Sequence, residues 1–206
     1  MLKTLVSTAV KVGLDKINAN HAEFAVGKDF HDVTHALKEK REMARSDNRI
    51  VEWRMEGESL KIITLLMASN NFREVLRKKF AMNVAVLENR VRIGKEEHDV
   101  TFHASDLGWH YEEIPNYLFI KFRKEMDALV IMRSRIQDDV CMNTLLSVTH
   151  LSNIATIFAS DLFRSCIETE FDHVSFGLPG VIRFGRTAQD ANITLQEEVE
   201  CLRKQL

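Results

Sequence analysis

VCMNTLLSVTHLSNIATIFAS, residues 140–160, is a run of twenty-one residues without Asp, Glu, Lys or Arg, in a chain where 28% of residues are charged. Its reading decides the fold. About 20 apolar residues are enough to span a hydrocarbon layer, so length alone permits a membrane helix. The content argues otherwise, because Asn143, Thr144, Ser147, Thr149, His150, Ser152, Asn153, Thr156 and Ser160 would all need partners that lipid does not supply. Leu145, Val148, Leu151, Ile154, Ala155, Phe158, Leu162 and Cys166 recur at three-and-four spacing, and Leu146 and Ile157 begin a second apolar face. A helix apolar over most of its circumference is a buried one. The stretch predicts one central helix with the rest of the chain folded over it.

Working outward, Pro115 suits a first helical turn, and the helix it opens carries Leu118, Phe122, Met126, Leu129 and Ile136 on one side. On the far side of the run, residues 174–176 and 181–184 flank Gly177-Leu178-Pro179-Gly180, the chemistry of a hairpin turn. A second hairpin is predicted within residues 84–103, where Val91, Ile93, Val100 and Phe102 alternate with polar residues on either side of Gly94-Lys95-Glu96-Glu97. The two hairpins are expected to share one small sheet. Residues 60–68 read as a buried helix stopped by Ser69-Asn70-Asn71, with Asn71 and Glu74 as the N-cap pair of the next helix, 72–80.

Residues 28–46 predict a helix with Phe30, Val33, Leu37 and Met43 inward and a mixed-charge outer face. Residues 1–18 form an amphipathic pattern in which Asp15 and the lack of Arg argue against an organelle presequence. Near the other end, Thr187 and Asp190 resemble a capping box, and Leu195, Val199, Leu202 and Leu206 follow at spacings of four, three and four. That is a narrow seam of the kind that pairs with a partner helix. No repeat of solenoid period is visible. The tetrapeptide His-Asp-Val-Thr occurs at His31 and again at His98, in contexts that predict a helix and a strand, so the match reads as chance. The expected fold is mainly α within the α+β class: one domain over residues 1–206, with 187–206 as an association element.

Composition narrows function mostly by exclusion. A net charge of −2 gives no whole-chain field that would recruit nucleic acid or anionic lipid. Cys141, Cys166 and Cys201 are too few and too scattered for a disulfide framework and read as the reduced thiols of a cytoplasmic protein. The chain has no Gly-x-Gly-x-x-Gly, no phosphate-loop Lys and no Gly-x-Ser-x-Gly, and no cofactor is predicted.

Three constellations remain. His31 and His35 stand one helical turn apart, a spacing that chelates a metal when a third ligand joins, as in a metal-dependent hydrolase. Residues 73–95 hold Arg73, Arg77, Lys78, Lys79, Arg90, Arg92 and Lys95 against Glu74 and Glu88, the local excess of positive charge that a nucleic-acid-binding accessory factor would use. His103-Ala104-Ser105 and His150-Leu151-Ser152 resemble the paired His-x-Ser motifs of 2H phosphoesterases, but Asp106 and Asn153 stand where that family carries apolar strand residues. The favoured reading is a non-enzymatic subunit of a larger assembly, viral origin included, that binds a protein partner or its own copies through Leu195, Val199, Leu202 and Leu206. No membrane span is expected.

Overall fold

The computed structural model of the chain describes residues 35–44, 50–135, 141–145, 148–178 and 180–204. Residues 35–44 form helix α1, with Leu37 and Ala44 buried. Thereafter the chain builds the same βααββα unit twice. The first unit is β1 (Val51–Arg54), α2 (Gly57–Ala68), α3 (Asn70–Phe80), β2 (Asn83–Leu87), β3 (Arg90–Gly94) and the short α4 (Glu97–Val100). Two connecting helices follow, α5 (Ile114–Lys121) and α6 (Arg123–Ser134). The second unit is β4 (Cys141–Leu145), α7 (Val148–Ala159), α8 (Asp161–Phe171), β5 (His173–Gly177), β6 (Val181–Gly185) and α9 (Ala188–Ala191), and α10 (Leu195–Lys204) comes last. Each unit has an antiparallel three-stranded sheet with the third strand in the middle, in the orders β1-β3-β2 and β4-β6-β5. The class is mainly helical α+β.

The units are related by an offset of 91 residues, which carries Gly57 to Val148 and Ala68 to Ala159. Residues that coincide under this offset do the same structural work. Ser69 and Ser160 each accept a hydrogen bond from the backbone N–H three residues on, Phe72 and Phe163, and so cap α3 and α8. Arg92 donates to Asp106 Oδ1 at 2.6 Å and to Thr101 O at 3.2 Å; Arg183 donates to Glu197 Oε1 at 2.7 Å and to Asn192 O at 2.6 Å. Gly94 and Gly185 end the middle strands where α4 and α9 crowd the backbone. The offset falls by one residue across β2 and β5 and is restored at the hairpin loop. Two residues, Ala81 and Met82, precede β2 but only Asp172 precedes β5, and the hairpin loop of the second unit is one residue longer.

The core lies between the units, where the equivalent helices α2 and α7 pack together. Ile63 and Ile154, equivalent residues, are both wholly buried, each worth about 1.5–3 kcal/mol of burial. From the connection, Leu118, Phe122, Met126 and Leu129 fill the same core. The structure corrects several expectations. The uncharged run is not one helix: Cys141–Leu145 is a strand paired with β6, and only Val148–Ala159 is helical. Residues 100–103 are not a strand, because Glu96 and Asp99 cap a helical turn there, and the hairpin is β2–β3 around Glu88 and Asn89. The two hairpins lie in separate sheets. The cap of α3 is Ser69, not Asn71. The helix opened by Pro115 breaks at Phe122, whose φ of −112° and ψ of 35° leave helical space. Met43 points outward. The repeat itself has a period far longer than that of a solenoid.

Candidate functional site

Two cavities open on the contact between the units. The first, of about 490 Å³, lies at the N-terminal turns of α3 and α8 and is lined among others by Asn70, Asn71, Arg73, Asn83, Asp161 and Arg164. Arg73 and Arg164 are equivalent residues, and each bends back over the preceding turn. Arg73 donates to Met67 O and Asn70 Oδ1, while Arg164 donates to Phe158 O at 2.7 Å and pairs with Asp161. Arg73 also reaches Phe158 O, at 3.5 Å, so both guanidinium groups meet at one carbonyl oxygen. Burial, and after it the charge of Arg164, pulls the Arg73 guanidinium down to about 9.

The second cavity, of about 610 Å³, lies at the opposite end of the α2–α7 pair, with Ser152, Asn153 and Thr156 of the uncharged run facing Lys61, Thr64 and the β2–β3 turn. At its rim Glu88, in the left-handed region at φ 56°, accepts hydrogen bonds from Tyr117 and Lys121. Burial pushes the Glu88 carboxyl up, but those two bonds outweigh it and hold it below the carboxylate range. Beside the cavity, the buried Glu125 accepts from Asn153 at 3.0 Å and contacts His150 Nδ1 at 3.2 Å. Among the described residues of the central run, His150, Asn153, Thr156 and Ser160 therefore find partners within this chain.

The residues singled out from the sequence are dispersed. Arg73 sits in the first cavity, while Arg77 is held by Glu74 at 2.8 Å and Glu97 at 3.5 Å, and Lys78 by Glu74 at 2.6 Å. Arg90 and Arg92 pair with Glu52 and Asp106 on the first sheet and stack on Phe102. The side chain of Lys79 lies outside the described residues. Of the positive segment, Arg77, Lys78, Arg90 and Arg92 are thus engaged in local ion pairs. His31 lies outside the described residues, and His35 is exposed beside Glu39 at 3.5 Å. Among the described residues no group of three or more His, Cys, Asp or Glu is placed to hold a metal, and no helix is long and apolar enough to cross a membrane. His103 caps a 3-10 turn through its backbone N–H to Asp106, far in role from His150 beside Glu125.

In the C-terminal seam Leu195 packs against this chain's own core; the side chains of Val199 and Leu202, and all of Leu206, lie outside the described residues. The residue that anchors α10 is Glu198, which lies outside that seam. Glu198 is buried and accepts from Ser69 Oγ at 2.7 Å, Leu178 N at 2.8 Å and Asn71 Nδ2 at 3.0 Å. Burial pushes its carboxyl up against those three bonds. No known protein family, curated protein or solved structure matches this chain.

Proposed function

We propose that this chain acts by binding another protein through the outer faces of α5 and α6, as a non-catalytic subunit of an assembly. The observation that carries the reading is the exposure of Ile120, at 79%, together with Ile131 at 51% and Val130 at 46%. These aliphatic side chains stand in solvent on the helices that join the two units. On α6 they share a face with Arg123, Asp127 and Ser134, all exposed, because those positions fall three or four residues apart. Arg123 and Lys124 are both exposed at the start of that helix. Apolar anchors beside the exposed cations Arg123 and Lys124 at one end of the face fit a partner with an apolar centre and acidic residues at its edge. The free Cys166 and Cys201 suit a reducing, cytoplasmic setting.

Native mass spectrometry of the protein isolated from its own source tests this. The 23.7 kDa chain is expected in complex with a different, acidic polypeptide, and Ile120→Asp combined with Ile131→Asp is expected to release it while leaving the circular dichroism spectrum unchanged. A variant that retains the partner overturns the reading, as does a wild-type mass that is a multiple of this chain alone.

A further inference from the structure

The 610 Å³ cavity gathers side chains that the fold leaves without hydrogen-bond partners. Thr64 stands in α2 within the otherwise apolar run of residues 62–66 and is 5% exposed. A helical threonine commonly returns its hydroxyl to the carbonyl four residues back, as Thr156 does to Ser152 O at 2.9 Å and Thr169 to Ser165 O at 2.8 Å. Thr64 Oγ1 makes no such bond and has no other partner among the described residues, and Thr64 lines the cavity. The equivalent residue of the second unit is Ala155, so the unit does not need a hydroxyl here to pack. Ser152, across the α2–α7 contact, and Asn89, in the β2–β3 turn, line the same cavity, and their side chains also lack partners among the described residues. A polar group as buried as that of Thr64 is nearly always satisfied, and the two half-buried companions add donors and acceptors facing the same space.

Arg54 completes the lining from β1. It lies directly opposite Arg90 in the β1–β3 pair, where like charges repel. The other cations of the lining each have a carboxylate: Lys61 has Glu58 at 2.7 Å, Arg90 has Glu52 at 2.8 Å, and Lys121 has Glu88. Arg54 has none among the described residues. The volume lies in the range of small-molecule sites.

We propose that this cavity binds a polyhydroxylated organic anion, its phosphate or carboxylate on Arg54 and its hydroxyls bonded to Thr64, Ser152 and Asn89. Guanidinium groups match both oxyanions in geometry, and the inference does not rest on protein docking at α5 and α6. Calorimetric titration of the full chain with glucose 6-phosphate, and separately with gluconate, at constant ionic strength distinguishes the two oxyanions. Saturable binding in at least one arm is expected, with uncharged glucose at least about tenfold weaker. The decisive variant is Thr64→Val, which keeps the shape of the side chain and removes its hydroxyl. It is expected to weaken the anion at least about tenfold, while its melting temperature without ligand stays level or rises because a buried hydroxyl with no partner is gone. A cavity that holds only water gives no saturable heat from either anion up to about 10 mM, and that result overturns the proposal. So do glucose binding as tightly as the anions, unchanged binding by Thr64→Val, and a lower melting temperature in that variant, which would place the hydroxyl in a bond the fold already makes.

Discussion

Charge at the level of single residues is settled by partners far away in the sequence. Arg92 reads as part of a basic run, yet it is neutralised by Glu52 and Asp106, and Glu198, outside the apolar seam of the last helix, is buried against Ser69 and Asn71. Neither pairing could be read from spacing, because each depends on the tertiary approach of separate elements. The two neighbouring glutamates of α10 have opposite responses to acid. The hydrogen bond from Arg183 is the main cause that lowers Glu197 from 4.5 to about 2, so its stabilising contribution is complete above about pH 4.5 and is lost as pH falls towards 2. Glu198 is raised by burial, so the folded state favours its protonated form and loses that advantage as pH rises through the folded value. Urea unfolding between pH 2 and 6 checks this: Glu197→Gln is expected to flatten the acid loss of stability relative to wild type, and Glu198→Gln to steepen it. Equal slopes in all three proteins would contradict the assignment.

Elements were legible where local pattern and tertiary context agree. Buried α2 and the β5–β6 hairpin follow from an apolar run and from a Pro-Gly turn respectively, and the capping box at Thr187 and Asp190 is present as the spacing predicts. The strand Cys141–Leu145 was hidden, because five residues of helical periodicity were overridden by pairing with β6. Elements also set what each glycine tolerates. A Cβ on Gly185 would lie 2.5 Å from the backbone nitrogen of Ala191 and 2.8 Å from the carbonyl carbon of Asp190, whereas one on the equivalent Gly94 would lie 3.0 Å from a side-chain methyl of Val100. Backbone cannot yield as a rotamer can, so Gly185→Ala is expected to cost about 1–3 kcal/mol and Gly94→Ala distinctly less. Chemical denaturation of the two single variants measures the difference, and a larger loss at Gly94 would refute the packing argument.

Seen whole, the molecule is one fold written twice and closed on itself through α2 and α7. Few residues carry the repeat in the sequence, among them Leu60 with Leu151, Ile63 with Ile154, Ala68-Ser69 with Ala159-Ser160, Phe72-Arg73 with Phe163-Arg164, Arg92 with Arg183, Gly94 with Gly185 and Asp99 with Asp190. They include the caps, braces and close approaches of the unit, while most of its other apolar positions changed identity under a burial constraint that many side chains satisfy. The convergence of Arg73 and Arg164 on the Phe158 carbonyl was invisible too, since only the fold brings the two units together. If both units share a single core, neither unfolds alone. Ile63→Ala in the first unit and Ile154→Ala in the second test this most directly, each expected to cost about 2–5 kcal/mol. Urea unfolding followed by both circular dichroism and Trp fluorescence is predicted to give one coincident transition in each variant, shifted in the same direction. Two separable transitions, with each substitution moving only one of them, would contradict a shared core.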